Sequence, residues 1–226
     1  MHHHAWVAYL DVYGFTNLIR TKPIPDLMDM IKQCWESIRR TIFVTEKKPY
    51  TYVFSDSIFL IFPRDDCTQG EETIEKRNSL QWCTEDVARI MEIFYEAGLP
   101  LRGGIAWDEV THDREHGIVI SNAVVRAHSY EAMVPAPLVL LPGCETIQNG
   151  YHIQEFGYPV RWIRLKKDSG MLGSLIFPRD EARFRQYVWD ERKKAGLNGP
   201  YTVAAAWNTA LELIDAYIQE RNGTWT

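Results

Sequence analysis

Apolar positions along the chain cluster in two ways, as short unbroken runs and as repeats at helical spacing. Trp6, Val7, Ala8, Tyr9 and Leu10 form a run of strand length that stops at Asp11, with Gly14 close behind. This reads as a strand, a tight turn and a helix, with a carboxylate at the turn. Asp26–Val44 then repeats with helical period through Leu27, Met30, Ile31, Cys34, Trp35, Ile38 and Ile42, and Pro23 and Pro25 punctuate its start. In Tyr50–Phe62 two β-rich runs flank Ser55-Asp56-Ser57, a pattern that predicts a hairpin with Asp56 at its tip. Arg64–Arg77 is polar and charged, as expected of an exposed loop leading into a helix. Leu80–Ala97 is that helix, with Val87, Ile90, Met91, Ile93 and Phe94 inward and Gly98 as its stop. Leu101–Trp107 predicts a strand, followed by a turn and a paired strand near Glu109–Thr111. His112–Gly117 reads as a charged loop, Ile118–Ala132 as a helix and Leu138–Leu141 as a short strand.

The order β-α-β-β-α-β predicts an α+β fold, a ferredoxin-like antiparallel sheet with helices on one face. From about Gly150 the pattern changes: Val160–Leu165 predicts a strand, and Asp180–Ala195 and Tyr201–Arg221 predict helices. The chain therefore divides into a domain over 5–150 and a C-terminal extension over 151–226, packed on the core or on a dimer partner. With 226 residues, 46% hydrophobic and 24% charged, the chain can bury a sizeable core. Its net charge of −5 argues against direct nucleic-acid binding, which favours basic surfaces. A nucleotide polyphosphate remains open, because a divalent cation can neutralise it. The four cysteines, Cys34, Cys67, Cys83 and Cys144, form no CxxC pair and no zinc spacing, so reduced thiols and a cytoplasmic location are expected. No apolar run reaches the length of a membrane span and no signal peptide precedes Trp6, so no membrane association is expected.

The candidate chemistry starts at the two carboxylates. A lone aspartate at a strand end is usually a cap, and a Ser-Asp-Ser turn is usually just polar. If the hairpin lies beside the first strand, however, Asp11 and Asp56 converge on one sheet edge. Two carboxylates sharing two Mg²⁺ ions suit phosphoryl or nucleotidyl transfer. Backbone N–H groups of Tyr13, Gly14, Phe15 and Thr16, where a helix opens, are placed to receive phosphate oxygens. Asn122 and Arg126 stand at i and i+4 and share a helix face, where Arg could grip a phosphate and Asn hold a ribose. The plain alternative for that pair is a solvated surface. Glu71, Glu72 and Glu75, with Lys76 and Arg77, read as a solvated face, and Trp82, Trp107, Trp162 and Trp189 as core or interface residues.

Four segments in order resemble the class III nucleotidyl cyclases. Leu10–Thr16, LDVYGFT, resembles the first metal motif, and Phe54–Phe62, FSDSIFLIF, the second, with Ser55 where glycine is usual. Leu101–Ala106, LRGGIA, resembles the strand after the second helix, and Asn122-Ala-Val-Val-Arg126 the Asn-x-x-x-Arg of the transition-state helix. The set spans roughly Trp6–Glu131. Among these cyclases the chain looks most like the stand-alone pyrimidine cyclases of bacterial Pycsar anti-phage systems. The resemblance implies Mg²⁺ or Mn²⁺, two ions per site, on Asp11, Asp56 and the Val12 carbonyl. It implies a homodimer with shared sites, Asp11 and Asp56 of one subunit working with Asn122 and Arg126 of the other. Where adenylyl cyclases carry a base-reading lysine this chain has Tyr52, whose hydroxyl both donates and accepts and whose ring fills purine space. Tyr52 is equally a common strand residue. The far edge of the base is expected to meet Arg114–His116.

The implied activity is cyclisation of a nucleoside triphosphate, UTP ahead of CTP, to a 3′,5′-cyclic nucleotide read by a separate effector. The alternatives are an adenylate cyclase and a cyclase-like nucleotide-binding module without turnover. No GGDEF-like stretch supports a diguanylate cyclase.

Overall fold

The computed structural model describes residues 2–41, 48–63, 72–113, 115–133, 136–142, 160–164, 172–176, 180–198 and 201–221. Within them the order is β1 (His2–Val12), α1 (Phe15–Thr21), α2 (Ile24–Thr41), β2 (Tyr50–Phe54), β3 (Ser57–Pro63), α3 (Glu72–Glu96), β4 (Leu101–Asp113), β5 (Ile118–Ser121), α4 (Asn122–Glu131) and β6 (Val139–Pro142). Then come β7 (Val160–Arg164), β8 (Leu172–Ile176), α5 (Glu181–Asn198) and α6 (Tyr201–Arg221).

The expected βαββαβ core is present. Its strands lie in the order β2-β3-β1-β4, each neighbour antiparallel. The same sheet continues through β6, parallel to β4, and then β8 and β7. Strands from both sides of position 150 thus share one sheet, and the expected boundary itself lies outside the described residues.

Strand β1 lies inside the sheet, between β3 and β4, and is buried on both faces, which is why its apolar run does not alternate. Trp6, Ala8 and Leu10 face α2 and α3, meeting Leu27, Cys34, Ile38, Val87, Met91 and Phe94. Ala5, Val7 and Tyr9 face the opposite way, toward α4 through Ala123, Ala127 and Tyr130. On that second face Phe184 and Val188 of α5 and Trp207, Ala210 and Ile214 of α6 complete the cover. The C-terminal helices are therefore the lid of the second layer. Gly104 lets β4 and α4 approach: a Cβ there would lie 2.3 Å from the Ala127 carbonyl oxygen.

Three elements differ from the sequence reading. The helix expected from Asp26 starts already at Ile24, with Pro25 in its first turn where no N–H is needed, and residues 42–44 of the expected stretch lie outside the described residues. The strand from Leu101 runs unbroken to Asp113 rather than turning after Trp107, because β1 pairs along it as far as Thr111. The stretch from Ile118 is a strand for four residues, pairing with Val110–Asp113, and becomes a helix only at Asn122. Ser121, in extended conformation, accepts a hydrogen bond from the Ala123 N–H and caps α4. Strand β8 was not legible in a Gly- and Ser-containing stretch. Residues 64–71, Arg114, Cys67 and Cys144 lie outside the described residues, as do the side chains of Glu71, Glu72, Glu75, Lys76 and Arg77.

Cys34 and Cys83 are buried free thiols. Burial pushes Cys34 up to about 11 and Cys83 well above the ordinary thiol value, which disfavours the reactive thiolate at both. Among the described residues no helix is long and apolar enough to cross a membrane.

Candidate active site

Asp11 is the next-to-last residue of β1, where the strand leaves the core and its side chain is still only 16% exposed. Residue pairing puts it opposite Ser57 on β3 and Arg102 on β4. Asp56 is at the tip of the β2–β3 hairpin, and its carbonyl accepts a 3.1 Å hydrogen bond from the Val12 N–H. The two carboxylate-bearing residues are thus brought to one sheet edge, with the Val12 backbone between them. Ser55 makes this turn with φ of 57°, a left-handed conformation that glycine adopts most easily. It is the position where the resembling motifs carry glycine.

The Ser57 hydroxyl donates to Asp11 Oδ1 at 3.1 Å, and Arg102 Nη2 stands 3.5 Å from Asp11 Oδ2. Burial first, then the nearby Asp56 charge, push the Asp11 carboxyl above its ordinary value, with Ser57 and Arg102 opposing. Two carboxylates close enough to repel make an electrostatic environment that a divalent cation relieves. No cluster of three or more His, Cys, Asp or Glu occurs among the described residues. Asp11, Asp56 and the Val12 carbonyl could offer a cation oxygens only, with substrate or water to complete its shell. That composition fits a hard ion such as Mg²⁺ or Mn²⁺ and not zinc.

Gly14 follows with φ of 77° and opens α1, whose first helical bonds run from Asn17 and Leu18 to the Gly14 carbonyl. The N–H groups of Gly14, Phe15 and Thr16 precede those bonds. The Tyr13 N–H differs from expectation: it donates to the Pro100 carbonyl at 2.7 Å, so Tyr13 contributes its ring here rather than its amide. That ring packs over the Arg102 guanidinium at 5.7 Å.

Asn122 and Arg126 form a second, separate group. Asn122 is exposed at the first turn of α4. Arg126 is half-buried: Nη1 donates to Asp108 Oδ2 at 3.2 Å and to the Trp107 carbonyl at 3.4 Å, and Nε to the Tyr130 hydroxyl at 3.3 Å. Asp108 and Arg102 are six residues apart on β4, roughly 20 Å at strand rise. Within one chain, Arg126 and the carboxylate pair are therefore not in contact.

Tyr52 stands on the hairpin that carries Asp56, four residues before it, and its side chain reaches across to β4. Its hydroxyl and His112 Nδ1 share a 3.0 Å hydrogen bond. His112 is 2% exposed, pairs with Val119 three residues before Asn122, and packs against the Tyr50 ring at 4.5 Å. Of the Arg114–His116 stretch, His116 is exposed and bound to Asp113.

Sequence reasoning missed Ser57, Arg102, Glu131 and His112 as partners in the site. Arg102 and Ser57 would follow from aligning β1 with β3 and β4. Nothing local marks Glu131 or His112, whose neighbours come from distant elements.

Neither a family model nor a curated protein sequence matches the chain. Its backbone is similar to the catalytic core of a rhodopsin-guanylyl cyclase with converted specificity, solved in complex with ATPαS: TM-score 0.56, 13% identity, 80% of this chain and 99% of that one. It is similar also to a guanylyl cyclase domain of the RhoGC fusion protein from the aquatic fungus Blastocladiella emersonii, at TM-score 0.54 and 13% identity over 80% and 98% of the two chains. The adenylyl cyclase CyaB from P. aeruginosa gives TM-score 0.50 and 16% identity over 80% and 97%. At these identities the likeness establishes the fold, that of the class III cyclase catalytic domain.

Proposed function

We propose that this chain is a metal-dependent nucleotide cyclase that converts a pyrimidine nucleoside triphosphate, UTP ahead of CTP, to the 3′,5′-cyclic nucleotide and pyrophosphate. It works as a homodimer with two shared sites. The observation that carries this reading is the division of polar residues into two sets. Asp11, Asp56 and Ser57 lie at one place; Asn122 and Arg126, on α4, lie at another, and the Tyr52 hydroxyl reaches from the Asp56 hairpin to His112, on the strand that pairs with the lead-in to α4. A two-fold partner brings the first set of one chain to the second set of the other, which no single chain does. Exposed apolar side chains flank both sets: Val53 and Phe54 beside the carboxylates, and Ile118, Ile120 and Val125 beside Asn122 and Arg126. Phe54 at 79% exposed and Ile120 at 70% are large surfaces to leave in water.

In this reading Asp11, Asp56 and the Val12 carbonyl hold the ions. Two divalent ions, when bound, lower the pKa of the attacking hydroxyl and stabilise the leaving group. The N–H groups of Gly14, Phe15 and Thr16 receive phosphate oxygens. The ribose 3′-oxygen attacks the α-phosphorus as the bond to pyrophosphate breaks. Arg126 supplies charge-assisted donors to the oxygens where charge develops, and Asn122 orients the ribose. The Asp108 carboxylate holds the Arg126 guanidinium in place for this task. The product is a diffusible cyclic nucleotide, suited to a separate effector in anti-phage defence as the sequence resemblance implies.

The pyrimidine preference rests on Tyr52 and its bond to His112. UTP selection calls for the tautomer with Nδ1 unprotonated, in which the tyrosine hydroxyl donates to His112 and turns its lone pairs outward. It then accepts from a ring N–H, which uracil presents at N3 and cytosine does not. Tyr52→Ala is expected to lower the rate on the preferred pyrimidine triphosphate roughly five- to hundred-fold, the loss of one hydrogen bond and a ring contact worth about 1–3 kcal/mol. ATP and GTP are expected to lose less, because they gain room. The quantity to measure is the ratio of rates on UTP, CTP, ATP and GTP. An unchanged ratio would make Tyr52 a strand residue only.

A further inference from the structure

We propose that Arg102 is an internal competitor for the Asp11 metal position, held off it by a buried clamp, Glu131 on one side and Tyr13 backed by Trp207 on the other. This rests on the metal assignment of Asp11 and Asp56 made above.

The guanidinium stands where a cation would bind. Arg102 Nη2 is 3.5 Å from Asp11 Oδ2, within ion-pair range but longer than the roughly 2.7–2.9 Å of a charge-assisted hydrogen bond. The other Asp11 oxygen already accepts from Ser57. Released from its other partners, Arg102 would close that gap and turn a loose ion pair into a full charge-assisted bond to Asp11. A divalent ion would then have to displace it.

Two groups hold it back. Arg102 Nε is in direct contact with Glu131 Oε1, and Glu131 is only 4% exposed, at the last residue of α4. A carboxylate buried to that degree needs its cationic partner, so the pair resists separation. On the other side the Tyr13 ring lies 5.7 Å from the guanidinium carbon. Trp207 of α6 meets the Tyr13 ring edge-on, at 5.5 Å and 82°, and is itself 4% exposed. Tyr187 of α5 packs on Trp207 in turn, at 6.1 Å. The C-terminal helices, which lie outside the sequence resemblance, thereby reach the metal carboxylate through two rings and one guanidinium. Glu131 and Tyr13 are positioning residues, and Trp207 positions Tyr13.

The test is Mn²⁺ binding to the full chain, without nucleotide, followed by the paramagnetic resonance of free Mn²⁺. This reads the ion and not turnover. Glu131→Gln removes the charge that anchors Arg102 and is expected to weaken Mn²⁺ binding roughly 10- to 100-fold, the usual consequence of losing a partner behind a metal ligand. The double variant Glu131→Gln with Arg102→Met removes the competitor as well and is expected to restore wild-type affinity or better. Added Mn²⁺ should likewise recover the turnover that Glu131→Gln loses. Tyr13→Leu removes the other jaw and is expected to weaken binding in the same direction, so the proposal stays open to refutation if Glu131→Gln fails to fold. Wild-type affinity in both folded single variants overturns the clamp. So does a double variant as weak as Glu131→Gln, which would mark general damage instead of competition. A wild-type chain whose Mn²⁺ binding is untouched by Asp11→Asn fails earlier and separately, at the metal assignment.

Discussion

Asp11→Asn and Asp56→Asn are each expected to abolish turnover while leaving the fold intact. An amide offers a metal one neutral oxygen in place of a charged pair. The ions contribute several kcal/mol of charge stabilisation, so losing a ligand charge is expected to cost about a thousand-fold or more in rate. The fold should not suffer, because Asp11 lies at the end of β1 and the buried packing is made by Trp6, Val7, Ala8, Tyr9 and Leu10. The stability of the Asp11 variant has a definite sign. Burial and Asp56 raise the Asp11 carboxyl in the folded chain. A group raised in this way favours the folded state most below its unfolded value, near 3.8, and loses that contribution as pH rises through the folded value. At neutral pH the charged Asp11 is therefore a net burden without metal, and Asp11→Asn is expected to melt no lower than wild type. Circular dichroism melts and rates should be recorded on the same samples. Full activity in either variant would remove the two-ion assignment. Lost activity with a collapsed melt would make the residue structural.

The second large effect is complementation. Asp56→Asn and Arg126→Ala are each expected to be inactive as homodimers, for different reasons: one lacks a metal carboxylate and the other the guanidinium. Mixed, they form heterodimers in which one site combines the intact carboxylates of one chain with the intact Arg126 of the other. Random exchange places half of the chains in such dimers, each with one good site of two. Activity near a quarter of wild type is the expectation from that pairing, since a two-fold dimer has two equivalent sites. No recovery despite demonstrated subunit exchange would place both sets of residues in one chain. The roughly 20 Å along β4 between Arg102 and Asp108 would then need another explanation.

The features legible in the sequence were those set by neighbours along the chain. The hairpin around Asp56 could be read because two β-rich runs abut a polar turn, and Tyr201–Arg221 because its length and composition leave no other choice. The β-α-β-β-α-β order followed from the apolar runs and helical repeats between Trp6 and Trp107. What could not be read depends on pairing between distant strands. Ile118–Ser121 carries β-branched residues that suit a strand, yet it sits directly before a capped helix, and only the partner Val110–Asp113 decides between them. The site shows the same division. Asp11 at a strand end and Asp56 at a hairpin tip could be picked out as candidates, but singly each reads as an ordinary cap or turn residue. Arg102, Glu131 and His112 matter only through side chains from other elements, Asp11 and Tyr13 for the first, Arg102 for the second and Tyr52 for the third. Trp207 is further still, since its role rests on a helix lying across the second sheet face from residues near the chain start.

The central claim is most directly tested by incubating the purified chain with each of the four nucleoside triphosphates and Mn²⁺, and identifying the products by mass. A 3′,5′-cyclic nucleotide with equimolar pyrophosphate is expected, from UTP first, CTP next, and ATP and GTP least. A preference for a purine would leave a cyclase and remove the role given to Tyr52. No cyclic product from any of the four, in a folded chain that exchanges subunits, would contradict the account at its root.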